Sequence, residues 1–275
     1  MTESTNDLPL IIAVATCGPT AMRKDNPAIP YSAKEIAEEI VLAADAGAAM
    51  AHVHARTADG KPSQDPAIFQ EIVERVRERS DIILELSLGT RGFSVEQSLS
   101  LLDLRPEMAS FPMGVRQEAR DAPSALEECS RRLLENRTRP SFAVTSSLTR
   151  DSVADLVARD LAGSVPCLVV APDAGEHPSD AAKSLVDLTD PFRGRAQWWV
   201  MKGGKSGSTQ FALRSLAIAL GGHVRVGFED MVTRYDGDRP APSNAWYVAE
   251  MCALAATMGR KAASPSEARA ILKLS

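Results

Sequence analysis

Residues 32–55 read SAKEIAEEIVLAADAGAAMAHVHA, a helix running straight into a strand. Ile36, Ile40, Val41 and Ala44 recur at helical spacing behind a Ser32 cap, and Gly47 ends the run. Ala48–Ala55 then has the short apolar composition of a buried strand. The same change of period repeats on both sides. Upstream, Leu10–Thr16 (LIIAVAT) reads as a strand. Downstream, the pattern predicts a helix over Asp65–Arg79, a strand over Ile82–Ser87 and a helix over Ser94–Leu102. The strand Glu107–Pro112, the helix Pro123–Asn136, the strand Ser141–Ser146 and the helix Arg150–Leu161 follow. Strands over Val165–Ala171, Ala196–Met201 and Val224–Phe228 are trailed by helices over Ser179–Leu188, Thr209–Leu220 and Asn244–Met258, with a last helix after Pro265. About eight β-then-α units, at a spacing of roughly 30 residues, predict a TIM (β/α)8 barrel of the α/β class. No linker divides the chain, so residues 1–275 are expected to form one domain behind an extended or disordered N-terminal tail of about seven residues. An open doubly wound sheet is the competing fold, but the first turn, TCGPTAM, lacks its glycine fingerprint.

Composition narrows the function. The chain carries 44% hydrophobic and 5% aromatic residues and a formal charge of −5, a poor match to a nucleic-acid partner. No apolar run is long enough to span a membrane, and the start, MTESTNDLPL, does not resemble a secretory signal. Cys17, Cys129, Cys167 and Cys252 match no metal-ligand spacing and read as reduced thiols of a cytoplasmic protein.

The four histidines are few enough for their placement to matter. His52 and His54 stand two apart at the end of the second strand, so they share a face, and that end of a TIM barrel is where functional residues gather. An HxH pair alone is a weak signal. Glu229, just past the eighth strand, is the candidate third ligand, completing a site suited to Zn²⁺, although two imidazoles and a carboxylate also suit Fe²⁺ or Mn²⁺. Arg225, Gly227 and Glu229 share parity along that strand, with Gly227 expected to leave space for Arg225. Asp230 falls beside the site, where Arg225 could orient it and hold it ionised. Such a carboxylate could take an α-proton while a metal stabilises the enolate, although a structural Arg–Asp pair would look the same. His223, at the opposite end of its strand, reads as structural, and His177 as solvated. After the seventh strand, MKGGKSGSTQ contains GGKS but has Trp199-Val200 where a P-loop needs its earlier glycine. Gly203, Gly204 and Ser206 remain candidates for holding a CoA phosphate through backbone N–H groups at a helix start, and a plain flexible loop is the alternative.

HVHARTADGKPSQDPAIFQEIVERVR, LRPEMASF, LAIALGGHVRVGFEDM and SNAWYVAEMCALAATMGRKAASPSEARAIL together resemble the β-keto acid cleavage enzyme family across nearly the whole chain. The resemblance implies a zinc-bearing barrel, usually a homotetramer, that converts a β-keto acid and acetyl-CoA into acetoacetate and a new acyl-CoA by retro-Claisen chemistry. By position it makes His52, His54 and Glu229 the ligands of one Zn²⁺ per chain, Asp230 the base and Arg225 its orienting partner. The strand-end loops add Ser87 as a catalytic candidate and Thr16, Gly89 and Gly114 as substrate contacts.

Several positions depart from the family pattern. Ser87-Leu88-Gly89-Thr90 stands where the family usually has a Thr/Ser pair and two glycines, and Gly114-Val115 where it has Gly then Ser or Thr. Pro140-Ser141-Phe142-Ala143 replaces PExE, and Thr16-Cys17-Gly18-Pro19 also lacks an acid. Acids at these places can meet a cationic substrate tail, so a non-cationic tail is expected. The departures leave open a metal-binding paralogue without the cleavage reaction, or another zinc-dependent barrel hydrolase or aldolase.

Overall fold

The computed structural model describes residues 8–89, 92–110, 122–173, 178–202 and 206–274, with the side chains of 122 and 123 left aside. The expected tail, together with Thr90, Gly114, Val115, His177, Gly203 and Gly204, lies outside these residues. In chain order the strands are β1 (Ile12–Ala15), β2 (Met50–Val53), β3 (Ala55–Arg56), β4 (Pro62–Ser63), β5 (Ile83–Ser87), β6 (Met108–Ser110), β7 (Arg139–Val144), β8 (Cys167–Val170), β9 (Gln197–Val200) and β10 (His223–Val226). Between and after them run α1 (Ala33–Asp45), α2 (Pro66–Arg77), α3 (Val95–Leu99), α4 (Ala122–Glu135), α5 (Ser147–Ala158), α6 (Pro178–Thr189), α7 (Gly207–Ala219), α8 (Asn244–Thr257) and α9 (Pro265–Leu272). β1-β2-β5-β6-β7-β8-β9-β10 close into a barrel, and the pairs along it are parallel. This is the TIM barrel that the alternation of periods predicts. β3 and β4 form a small antiparallel ribbon after β2.

Local chemistry explains where elements begin and end. Ser32 and Glu35 make a reciprocal capping box on α1, and Asp65 caps α2 ahead of Pro66. The strand expected over Ser141–Ser146 stops at Val144 because Ser146 caps α5, which therefore starts before Arg150. The helix expected over Ser94–Leu102 is one short α-turn followed by a 3₁₀ segment, Ser100–Leu104. β10 ends at Val226 rather than Phe228, because Gly227 sits at φ +127 and turns the chain.

Alternate residues split the core in two. Leu10, Ile12, Val14, Val53, Leu84 and Leu86 belong to the layer between barrel and helices. Ile11, Ala13, Met50, Ile83, Met108 and Trp199 fill the lower barrel interior, and Ala268 and Leu272 of α9 close it from below. Higher on the same inward face stand His52, Ser87, Ser141 and Arg225 beside the apolar Ala143 and Val169, and these build the site. Among the described residues no helix is long and apolar enough to cross a membrane.

Candidate active site

His52 lies in β2 and His54 one residue past its end, both nearly fully buried. Their Nε2 atoms stand 3.7 and 3.5 Å from the same oxygen, Glu229 Oε2. One donor atom from each of the three residues lies within 4.8 Å of the others. Glu229 Oε2 is buried without a hydrogen-bond partner, whereas Oε1 accepts from Arg225 at 3.1 Å. A lone carboxylate oxygen facing two imidazole nitrogens, all too far apart to bond directly, fits a small cation between them.

Protonation favours the same reading. Burial pushes His54 down to about 3, which leaves its imidazole neutral. Burial opposes ionisation of Glu229, but Arg225 and the two histidines outweigh it and hold the carboxyl at about 2. Two imidazoles and a carboxylate are a donor set for Zn²⁺ or a similar divalent ion.

Several loops press Glu229 into place. Its N–H donates to the Ala15 carbonyl. Gly18, at φ +57, packs so closely that a Cβ there would lie 2.4 Å from Glu229 Cγ. A Cβ on Gly227 would lie 2.3 Å from the Ala15 carbonyl oxygen, so this glycine admits the β1 backbone rather than clearing space for Arg225. Asn244, at the start of α8, accepts from Phe228 N–H and donates to the Thr16 carbonyl, fastening the ends of β1 and β10 together. Arg225 holds Asp230 by both oxygens, Nε to Oδ2 at 3.0 Å and Nη2 to Oδ1 at 2.5 Å. The Asp230 side chain is fully buried in this fork.

A cavity of about 650 Å³ opens above these groups. Its wall includes His52, His54, Arg225 and Glu229, together with the candidates Ser87 and Gly89. Ser87, Ser110 and Ser141 sit side by side in the register of β5, β6 and β7 and all line it, so hydroxyls cover one side. Ala143, Val169, Ala171 and Met201 supply an apolar side, and Lys202 stands at the wall after β9. Thr16 does not line the cavity: it is fully buried, and Pro19 and Thr20 reach the space instead. Ser206 is the N-cap of α7, its hydroxyl accepting from Thr209 N–H.

Two buried charges were not among the candidate site residues, Arg56 having figured only within the motif HVHAR. Glu85 in β5 is the register partner of His52, and its Oε2 lies 2.6 Å from His52 Nδ1. Its Oε1 accepts from the Ser141 hydroxyl. Burial opposes the charge on Glu85, but these hydrogen bonds and the nearby His52 and Arg225 hold its carboxyl below the usual range. The available signal was an acid at an inward position of an otherwise apolar strand, ILELS. Arg56, fully buried, donates to the carbonyls of Cys17, Gly18, Ala21 and Gly60, knitting the loops after β1 and β2. His223 is structural, its Nδ1 accepting from Ile11 N–H and its Nε2 meeting Gln197 Oε1.

Comparison with known proteins agrees with this architecture. A model of the beta-keto acid cleavage enzyme family matches residues 9–274. A 3-keto-5-aminohexanoate cleavage enzyme of Fusobacterium nucleatum is 34% identical over 272 residues, covering 96% of this chain and 98% of the relative. A 3-oxoadipate:acetyl-CoA acetyltransferase of Cupriavidus necator is 32% identical, covering 97% and 95%. The solved structure of ObcA with oxaloacetate superposes with a TM-score of 0.74 at 18% identity, covering 90% of this chain and 68% of that one, a likeness of fold.

Proposed function

The chain belongs to the β-keto acid cleavage enzyme family, and on that premise we propose that it converts a β-keto acid with a non-cationic tail, plus acetyl-CoA, into acetoacetate and a new acyl-CoA. His52, His54 and Glu229 would hold one divalent cation per chain, zinc by family resemblance. The observation that carries this reading is Glu229 Oε2, buried and unbonded opposite two imidazole nitrogens at the cavity wall.

When bound, the ion supplies Lewis acidity that stabilises the enolate of the β-keto acid. The chain's own residues do the rest. Asp230 is the proton acceptor for the α-carbon. Its oxygens keep lone pairs beyond those that Arg225 occupies; Asp230 does not itself line the cavity, so its side chain would have to turn to reach the α-carbon. Arg225 lines the cavity while gripping Asp230, so it orients the base and presents a cation to the substrate carboxylate. The enolate carbon would attack the acetyl thioester and expel CoA thiolate. The thiolate would then add to the former β-keto carbonyl. Cleavage of the bond from that carbon to the α-carbon would release the new acyl-CoA and, once the α-carbon regains a proton, acetoacetate. Ser87 and Gly89 contact substrate, and Lys202 with the loop through Ser206 meets the anionic part of CoA.

The tail preference rests on charge. Among the described residues of the wall, Glu229 is the one carboxylate, and Arg225 and Lys202 are cations. Nothing there compensates an ammonium group, and Ala143 and Val169 favour apolar or neutral tails. As in the family, a homotetramer is the expected assembly.

The test is a screen of metal-replete protein with acetyl-CoA against β-keto acids of varied tail, following acetoacetate. Turnover of uncharged or acidic tails above 3-keto-5-aminohexanoate is expected. Preference for the amino compound would overturn the tail assignment. Bound metal without turnover across the panel would overturn the activity in favour of a ligand-binding paralogue, and hydrolysis independent of acetyl-CoA would point to a barrel hydrolase.

A further inference from the structure

We propose that Glu85 is a positioning residue for the metal centre, fixing the tautomer and ring orientation of His52, and that Ser141 holds Glu85 for this task. The inference rests on the metal reading above. β2 and β5 are neighbours, and their register places His52 directly beside Glu85 on the inward face. At 2.6 Å, Glu85 Oε2 accepts from His52 Nδ1–H. An imidazole whose Nδ1 carries the proton keeps its lone pair on Nε2, the nitrogen that faces Glu229. The carboxylate also withdraws the proton slightly and makes Nε2 a stronger donor to a cation.

Glu85 has no second outlet for its charge. It is completely buried, and its remaining oxygen takes the Ser141 hydroxyl from β7, two strands along the barrel. An apolar side chain would fill this place without the desolvation cost of a carboxylate, so an acid there needs a compensating role. Ser141 also lines the cavity. A residue on the substrate wall therefore bears on the metal ligand through one intervening side chain. The same arrangement explains why Glu85 is no receptor for a substrate cation, both of its oxygens being engaged.

The test is zinc affinity of the metal-free protein, read by chelator competition, with visible absorption of the cobalt-loaded protein as a second readout. Glu85→Gln keeps the shape and the hydrogen-bond acceptor but removes the charge. Folded by far-UV circular dichroism, it is expected to bind zinc about 10- to 100-fold more weakly and to show shifted cobalt bands. Ser141→Ala is expected to weaken binding by a smaller factor, and the double variant to be no weaker than Glu85→Gln alone. Wild-type zinc affinity and cobalt bands in folded Glu85→Gln would overturn the proposal. Should Glu85→Gln not fold, unchanged affinity in Ser141→Ala overturns it instead. A wild-type protein that binds no divalent ion would bring down the metal reading itself, whereas wild-type binding equalled by both variants would remove only the role of Glu85.

Discussion

Glu85 gives a mutation at His52 a consequence beyond the metal. His54→Ala removes one candidate ligand, so purified protein should lose its metal, by elemental analysis. His52→Ala should lose metal too, but it also strips Glu85 Oε2 of its donor inside the barrel. That buried oxygen should cost the metal-free His52→Ala protein about 1–3 kcal/mol against metal-free wild type in denaturant titrations, and adding Glu85→Gln should restore part of the loss. Stoichiometric metal in either single variant would sink the ligand assignment. Asp230→Asn should retain metal and lose roughly 10²- to 10⁴-fold in kcat; undiminished turnover would remove Asp230 from the chemistry. The candidate ligands were legible in the sequence because two histidines at strand spacing and a Glu-Asp pair at a strand end are unusual residues in informative places. Glu85 was not, since an acid in a short strand becomes meaningful only once register sets His52 beside it.

Strand β10 shows the same limit for elements. Alternation of periods revealed its existence and order, and of the three residues of equal parity Arg225 and Glu229 reach the cavity while Gly227 packs against the β1 backbone. The route differs: the pleat ends at Val226, and a turn closed by Asp230 N–H and Met231 N–H on the Gly227 carbonyl delivers Glu229. Tight packing against the Ala15 carbonyl, which requires glycine, comes from a strand more than two hundred residues away, beyond any local pattern. At the other end of β10, His223 links strands through its neutral form. Nδ1 must remain an acceptor for Ile11 N–H, and burial beside Arg260 lowers the imidazole from 6.5 to about 3. Between those values the unfolded chain takes a proton that the native one refuses. This contribution to stability is therefore present above pH 6.5 and falls as pH drops toward 3, by roughly 1 kcal/mol per unit. His223→Asn keeps an acceptor but cannot titrate. Denaturant midpoints of metal-free wild type and variant should diverge from pH 7 to pH 4, with the wild type losing more; parallel curves would refute the assignment.

At the scale of the whole barrel, closure depends on segments far apart in sequence. β1 pairs with β10 on one side and β2 on the other, and Leu10 also exchanges backbone hydrogen bonds with Lys261 and Ala263 just before α9. α9 then inserts Leu272 beneath the interior core. Leu272→Ala, leaving a void under the barrel, should cost about 2–4 kcal/mol in chemical denaturation while leaving the distant cavity able to bind metal; a loss below 1 kcal/mol would show that α9 is a loose cover. The order of synthesis gives the ring geometry a further meaning. His54 precedes Glu229 by 175 residues, and β1 has an unpaired edge until β10 arrives. The three candidate ligands thus come together only once the last strand of the barrel has been made, so any metal loading that needs all three would have to wait for β10. A nascent chain cut short anywhere before Glu229 would carry the imidazole pair without its carboxylate, however abundant the ion.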